Sequence, residues 1–162
     1  MKAAVVTISD TRDEEDDPSG DLLLGLLSEF GAEVISKTIV TDDRAGIEER
    51  LKELSDAGSD LIVTTGGTGF SPRDNTPEAT LAVIEREAPG IAETMRFQTA
   101  SKTPMAMLSR GVCGIRGRTL IINFPGSPRA VKECFDVVKP VLKHAVKQIS
   151  GDTAHYDTEE QD

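Results

Sequence analysis

Cysteine is scarce: Cys113 and Cys134 are the only two, too few for a disulfide scaffold. No Cys/His cluster has metal-ligand spacing, so both read as small core fillers. That usage suits a reducing compartment, and the expected location is the cytoplasm. Histidine occurs twice. His144 lies among lysines on a helical stretch and reads as a surface residue, and no role is assigned to His155. No apolar run approaches the ~20 residues of a membrane span. The opening MKAAVVTISD has a single lysine before a strand-like run, which is not the architecture of a signal peptide. Positive charge is also short. Lys and Arg number 18 against 28 Asp and Glu, a net charge of −10, with a pI near 4.7. That balance argues against a binder of nucleic-acid backbones. It leaves room for a nucleotide, which a few backbone amides and one or two cations can hold.

What is present describes one globular domain. The chain has 162 residues, 38% of them hydrophobic and 28% charged, long enough to bury a core without metal or disulfide. Lys2–Ser9 is a β-branched apolar run, as in strands buried on both faces of a parallel sheet. Asp17-Pro18 or Ser19 opens a helix with leucines 22, 23, 26 and 27 and Phe30 on its buried face, stopped at Gly31. Glu33–Val40 reads as a second strand. Asp42 or Asp43 caps a second helix through Ile47, Leu51 and Leu54, and Leu61–Thr65 is a third strand. Thr76-Pro77 starts a helix expected to reach about Glu87, and Pro89-Gly90 starts another through Thr99. Met107–Ile115 and Arg118–Phe124 read as extended runs around a turn at Arg116-Gly117. Ser127-Pro128 opens the last helix, whose apolar positions 131, 134, 135, 138, 142, 145 and 149 keep helical spacing, with a kink expected at Pro140. Residues 1–150 form the domain, and 151–162 read as a disordered acidic tail. Alternating strands and helices imply a three-layer α/β/α fold with a mostly parallel sheet and one antiparallel strand.

In such sheets ligands bind beyond the carboxyl ends of the strands. The residues there are Ser9-Asp10, Thr41-Asp42-Asp43, Thr65 to Asn75, and Pro125-Gly126-Ser127. Two of these segments are glycine loops running into helices that begin Thr-Pro or Ser-Pro. Free amides at a helix start favour anions, and glycine lets a phosphate approach the backbone. Neither loop matches a P-loop or a Rossmann fingerprint, and from spacing alone tight turns that happen to contain glycine remain the lesser alternative. Arg129 near a helix start is disfavoured by the dipole unless an anion lies nearby. The acidic run Asp13–Asp17 reads as a solvated loop. Met95, Met105 and Met107 read as core or subunit-interface residues.

Longer stretches carry a resemblance. TTGGTGFSPRDNTPEAT (Thr64–Thr80), VIEREAPG (Val83–Gly90) and MLSRGVCGIRGRTLIINFPGSPRAVKECF (Met107–Phe135) resemble the Mog/MoaB family of molybdenum cofactor biosynthesis, including the G domains of gephyrin and the plant molybdenum insertase. TISD at the start and DPSG at Asp17–Gly20 are similar to the same family. The likeness covers residues 2 to about 150 and implies a stand-alone G-type module, commonly trimeric, that transfers AMP from ATP to molybdopterin. By that resemblance Asp42 and Asp74 are the catalytic aspartates and would hold Mg²⁺ with the ATP phosphates. Thr65, Gly66, Gly67, Thr68 and Gly69 form the nucleotide loop. Ser9, Asp10, Ser109, Pro125, Gly126 and Ser127 surround the pterin and nucleotide pocket. The expected partners are molybdopterin, ATP, further copies of the chain in a trimer or hexamer, and a molybdenum-inserting E-type protein. Asn75 departs from the valine common in the family. The acidic loop is closer to the MoaB-like branch, some members of which are inactive. A non-catalytic pterin-binding or scaffolding module is therefore the alternative.

The implied chemistry suits these residue types. A phosphate monoester attacking the α-phosphorus of ATP is already ionised and needs no general base. It needs alignment and charge neutralisation, for which carboxylate-held Mg²⁺ and amide donors are suited.

Overall fold

The computed structural model describes residues 1–151; the tail expected beyond them lies outside the described residues. Six strands form one sheet in the order β2-β1-β3-β6-β5-β4. They are β1 (Lys2–Ile8), β2 (Glu33–Val40), β3 (Leu61–Thr65), β4 (Arg86–Glu87), β5 (Cys113–Arg116) and β6 (Thr119–Phe124). β2, β1, β3 and β6 are mutually parallel, and β5 runs against both β6 and β4. A single strand thus opposes the rest, as the sequence pattern predicts. The sheet separates helices α1 (Pro18–Glu29), α4 (Pro89–Ala100) and α5 (Pro128–Ile149) from α2 (Arg44–Asp56) and α3 (Thr76–Val83).

Alternation along the central strands builds two cores. Ala3, Val5, Leu61, Val63, Leu120, Ile122 and Phe124 face Leu23, Leu27, Met95, Phe135 and Leu142. Ala4, Val6, Ile8, Ile62 and Ile121 face Ile47, Leu51, Leu54, Ala79 and Val83. Both faces of β1, β3 and β6 are covered, which explains why these strands read as continuous apolar runs. Phe30 meets Phe135 edge to face at 6.0 Å, joining α1 to α5. Asp17 caps α1 by accepting from the Gly20 amide at 3.0 Å. Its other oxygen accepts from the Thr7 hydroxyl at 2.8 Å and pairs with Lys37 at 3.2 Å. Burial opposes the Lys37 charge, but the carboxylates of Asp21 and Asp17 outweigh it and hold its pKa above the ordinary lysine value.

Several boundaries differ from expectation. The third helix stops at Val83, not near Glu87, because the chain turns extended at Ile84 (ψ 150°) and Arg86–Glu87 pairs with β5. Asp43, not Asp42, caps α2, accepting from the Gly46 amide at 2.8 Å, which leaves the Asp42 carboxylate uninvolved in the cap. The first part of Met107–Ile115 is not extended: Pro104–Leu108 is a short 3₁₀ helix, and only Cys113 onward joins the sheet. α5 does follow the sequence reading as one long helix with Pro140 inside it. Met95 is buried, whereas Met105 and Met107 are exposed and do not belong to the core.

Candidate active site

β1 lies between β2 and β3, so the connection through α1 leaves it on one side and the chain returns on the other. This reversal of strand order opens a crevice at the carboxyl ends, where such sheets bind ligands. The sequence-predicted loops meet there. Gly66 takes φ +99°, and a Cβ at that position would lie 2.3 Å from the Ile8 carbonyl oxygen. No L-residue fits that turn without displacing the end of β1. The Gly66 amide donates to the Phe124 carbonyl at 3.2 Å, and the Thr65 hydroxyl donates to the Pro125 carbonyl at 2.7 Å. A Cβ on Gly126 would sit 3.3 Å from the Gly66 Cα. The loops after β3 and β6 therefore pack backbone against backbone. The Ser19 hydroxyl steadies the second loop from α1 by donating to the Gly126 carbonyl at 2.7 Å. Ser127 caps α5, accepting from the Ala130 amide at 3.2 Å.

Three aspartates share this edge. Asp10 accepts the Asp42 amide at 3.0 Å and receives the Arg73 guanidinium through contacts of 2.6–2.9 Å. The Asp42 amide first, and Arg73 with it, hold the Asp10 carboxyl below the usual aspartate range. Asp42 shifts the other way. Burial first, then the negative charges of Asp10 and Asp74, push its pKa up, and the Asp10 backbone hydrogen bond and Arg73 only partly compensate. Arg73, bonded to Asp10 and facing Asp42 and Asp43, is pushed above its ordinary value. Asp74 accepts the Ser71 amide at 2.9 Å, folding the loop back on itself.

Beside these carboxylates is a cavity of about 550 Å³, within the range of small-molecule sites. Its apolar wall comes from Ala92 and Met95 of α4, Met105, Ala106 and Leu108 of the 3₁₀ segment, and Cys134 of α5. Of the site residues expected from the sequence, Gly67, Thr68, Gly69, Asp74, Ser109, Pro125, Gly126 and Ser127 line it. Asp42, Ser9, Asp10, Thr65 and Gly66 do not line it. Thr65 and Gly66 shape the loop from behind, and Asp10 and Asp42 flank it. Ser9 accepts the amides of Thr11 and Arg12, both at 3.1 Å, and so forms the turn after β1. Arg129 finds its counter-charge within its own helix, Glu133 at 3.1 Å. Arg129 also lines the cavity, beside Gly126 and Ser127. Cys113 and Cys134 are buried, and burial pushes both thiols up to about 12, so neither is a nucleophile at neutral pH.

Sequence reasoning misses two arginines. Arg110 donates from Nε to the Gly69 carbonyl and from Nη2 to the Asp74 carbonyl, both at 2.7 Å, and pairs with Glu78. Its own amide donates to the Thr68 carbonyl at 2.8 Å. One side chain thus gathers both ends of the glycine-rich loop, and holds the Glu78 carboxyl below its usual range. Arg73 bridges that loop to the one after β1. The only signal for either is a cation next to a loop otherwise rich in acceptors.

A doubly covered sheet with glycine-rich strand ends and a cavity beside them defines an α/β protein with a small-molecule site at the carboxyl edge of its sheet. Within that class, the chain belongs to the family described as a probable molybdopterin binding domain, which matches residues 4–144. A molybdopterin adenylyltransferase of Helicobacter pylori (strain J99) is 42% identical over 139 residues, covering 84% of this chain and 79% of that protein. The molybdenum cofactor synthesis protein cinnamon of Drosophila melanogaster is 44% identical over 154 residues. This chain, 93% covered, spans only about a quarter (26%) of that longer protein. Among solved structures, the molybdopterin biosynthesis enzyme MoaB of Thermus thermophilus superposes with a TM-score of 0.86 at 45% identity, covering 93% of this chain and 96% of its own.

Proposed function

We propose that this protein transfers AMP from ATP to molybdopterin, yielding adenylyl-molybdopterin and pyrophosphate. The phosphate of molybdopterin forms a bond to the α-phosphorus of ATP, and the bond from that phosphorus to the bridging oxygen of the leaving pyrophosphate breaks. The observation that carries the reading is the packing of the two glycine-rich strand ends against each other beside Asp10, Asp42 and Asp74. Amides on two loops can bind two anionic substrates, and their contact brings attacking and leaving groups within one site. The H. pylori relative, named a molybdopterin adenylyltransferase, supports the same chemistry.

Among the described residues no group of three His, Cys, Asp or Glu side chains could hold a metal by itself, but two carboxylates suit a magnesium ion that takes further ligands from substrate phosphates. Among the described residues no cation forms an ion pair with the Asp42 carboxylate, and its pKa is raised in part by Asp10 and Asp74, a repulsion that a divalent cation relieves. Asp42 and Asp74 would hold Mg²⁺ together with ATP phosphate oxygens, the usual sharing of ligands for this ion. When bound, the ion supplies charge neutralisation on the phosphates. The rest falls to the chain. Gly67–Gly69 present amides to the nucleotide. Ser109, Pro125, Gly126 and Ser127 line the cavity for the pterin and nucleotide, and its apolar wall limits water around the reacting groups. Arg110 keeps Asp74 and Gly69 in a fixed relation. Relatives named molybdopterin adenylyltransferases favour this reading over a non-catalytic pterin-binding module. Pyrophosphate release that requires both molybdopterin and ATP is the expected result. Molybdopterin binding without pyrophosphate would establish the non-catalytic alternative. Among the described residues no helix is long and apolar enough to cross a membrane.

The chain is further proposed to form a threefold-symmetric homo-oligomer, a trimer or a hexamer, that passes its product to a molybdenum-inserting E-type protein. Phe97, Met105 and Met107 are 83%, 62% and 69% exposed on α4 and the adjoining 3₁₀ segment, apolar side chains that a subunit contact would cover. Sedimentation at micromolar concentration should give a multiple of 17.4 kDa. A lone monomer peak would overturn this assembly.

A further inference from the structure

Asn75 occupies the N-cap position of α3, where an asparagine side chain ordinarily accepts a hydrogen bond from the helix. Here it makes no cap bond. Its Nδ2 instead donates to the Asp42 carbonyl at 3.1 Å and to the Arg73 carbonyl at 3.2 Å. Both partners are carbonyl oxygens, so only the NH₂ end of the amide can serve them. On the other side of the same residue, the Asp42 amide donates to Asp10, which Arg73 grips with its guanidinium. A closed ring results: Asp10 holds the N–H of Asp42, Asn75 holds its C=O, and Arg73 joins Asp10 and Asn75 through side chain and backbone. The main chain of Asp42 is tied on both sides, while its carboxylate is left without an ion pair among the described residues.

We propose that Asn75 is a positioning residue that fixes the Asp42 main chain through this ring and so aims the Asp42 carboxylate at the reacting phosphates. The proposal rests on the adenylyl-transfer reading above and deepens it. Asn75 itself does not line the cavity. Position 75 follows directly on Asp74, so one short stretch of the glycine-rich loop carries one of the two aspartates and orients the other. A loop displaced by even a fraction of an ångström would disturb both.

The valine common at this position in the family has no such donors, so the ring is particular to this chain; Asn75→Leu keeps the branched shape of the side chain and removes both donors, and Asn75→Ala serves as a second variant should leucine perturb folding. Either should lower kcat about tenfold, the scale expected for misplacing a catalytic group by less than an ångström, with KM for ATP and molybdopterin nearly unchanged. In an Asp42→Asn background the same substitution should cost nothing further in single-turnover rate, because residues acting through one group are not additive. Independently of catalysis, amide hydrogen exchange over residues 41–44 of the ligand-free protein should quicken in both Asn75 variants. An equal kcat loss in both backgrounds, or exchange at 41–44 that does not change, would overturn the assignment. Wild-type protein that makes no adenylyl-molybdopterin would instead sink the function, leaving the exchange experiment to judge the ring on its own.

Discussion

Replacing Asp42 or Asp74 by asparagine is expected to lower AMP transfer to molybdopterin by at least about 100-fold, the loss that follows removal of one preorganised electrostatic contact. Molybdopterin affinity should change little. Ser109, Gly126 and Ser127 line the cavity independently of either carboxylate, and an interaction that matters mainly as charge redistributes contributes little to ground-state binding. Equilibrium binding and product formation measured on the same preparations decide this. Affinity that falls with turnover would mean that the aspartates shape the loops; turnover that survives would remove them from the chemistry. Stability gives a further sign. Burial and the neighbouring charges of Asp10 and Asp74 raise the Asp42 pKa in the folded protein. The unfolded state therefore holds its proton less tightly, and the ionised carboxylate costs stability as pH rises above the ordinary aspartate value. Asp42→Asn should consequently be at least as stable as the wild type at pH 7, losing activity but not the fold.

Gly66→Ala should fail in the opposite way, losing fold and activity together. The residue sits at φ +99°, and the new methyl would meet the Ile8 carbonyl oxygen at 2.3 Å, a backbone atom with little room to move. Backbone strain and the forced shift of the β1 end together should cost about 2–4 kcal/mol. Gly31 is the internal control. It also has positive φ (+86°), but a Cβ there meets nothing within 4 Å, so Gly31→Ala should cost only the left-handed penalty, about 1–2 kcal/mol. Denaturant titrations of the two variants against wild type separate the strain from the collision. Equal losses would mean that the close packing of the loop on β1 carries no energy of its own.

The parts of the fold set by local rules are legible in the amino-acid order itself. β3 falls at Leu61–Thr65 and β2 at Glu33–Val40 because each is an apolar or β-branched run between clear stops. Asp17-Pro18 and Ser127-Pro128 mark helix starts through capping chemistry that acts within three residues. The departures are tertiary. Arg86–Glu87 continues a helical pattern in sequence, yet an open edge of β5 captures it as a strand. Met107–Leu108 reads as extended, yet Pro104 and the Thr103 cap start a 3₁₀ turn. The site follows the same division. Glycines and strand-end aspartates stand out by type and position, and the loops they mark do converge. Arg73, Arg110 and the turned-away amide of Asn75 are not legible as a device, because their meaning lies in partners between 2 and 63 residues away. Arg129, singled out by its place at a helix start, does line the cavity, while its ion pair with Glu133 one helical turn along shows only in the fold.

The most direct measurement of the proposed reaction follows the phosphorus atoms. Purified protein, molybdopterin and Mg²⁺ are mixed with ATP labelled in parallel samples at the α- or the γ-phosphorus, and the pterin product is isolated. Transfer of AMP places the α-label on molybdopterin and all of the γ-label in pyrophosphate. A γ-label on the pterin, or no label on it while molybdopterin remains bound, would contradict the account.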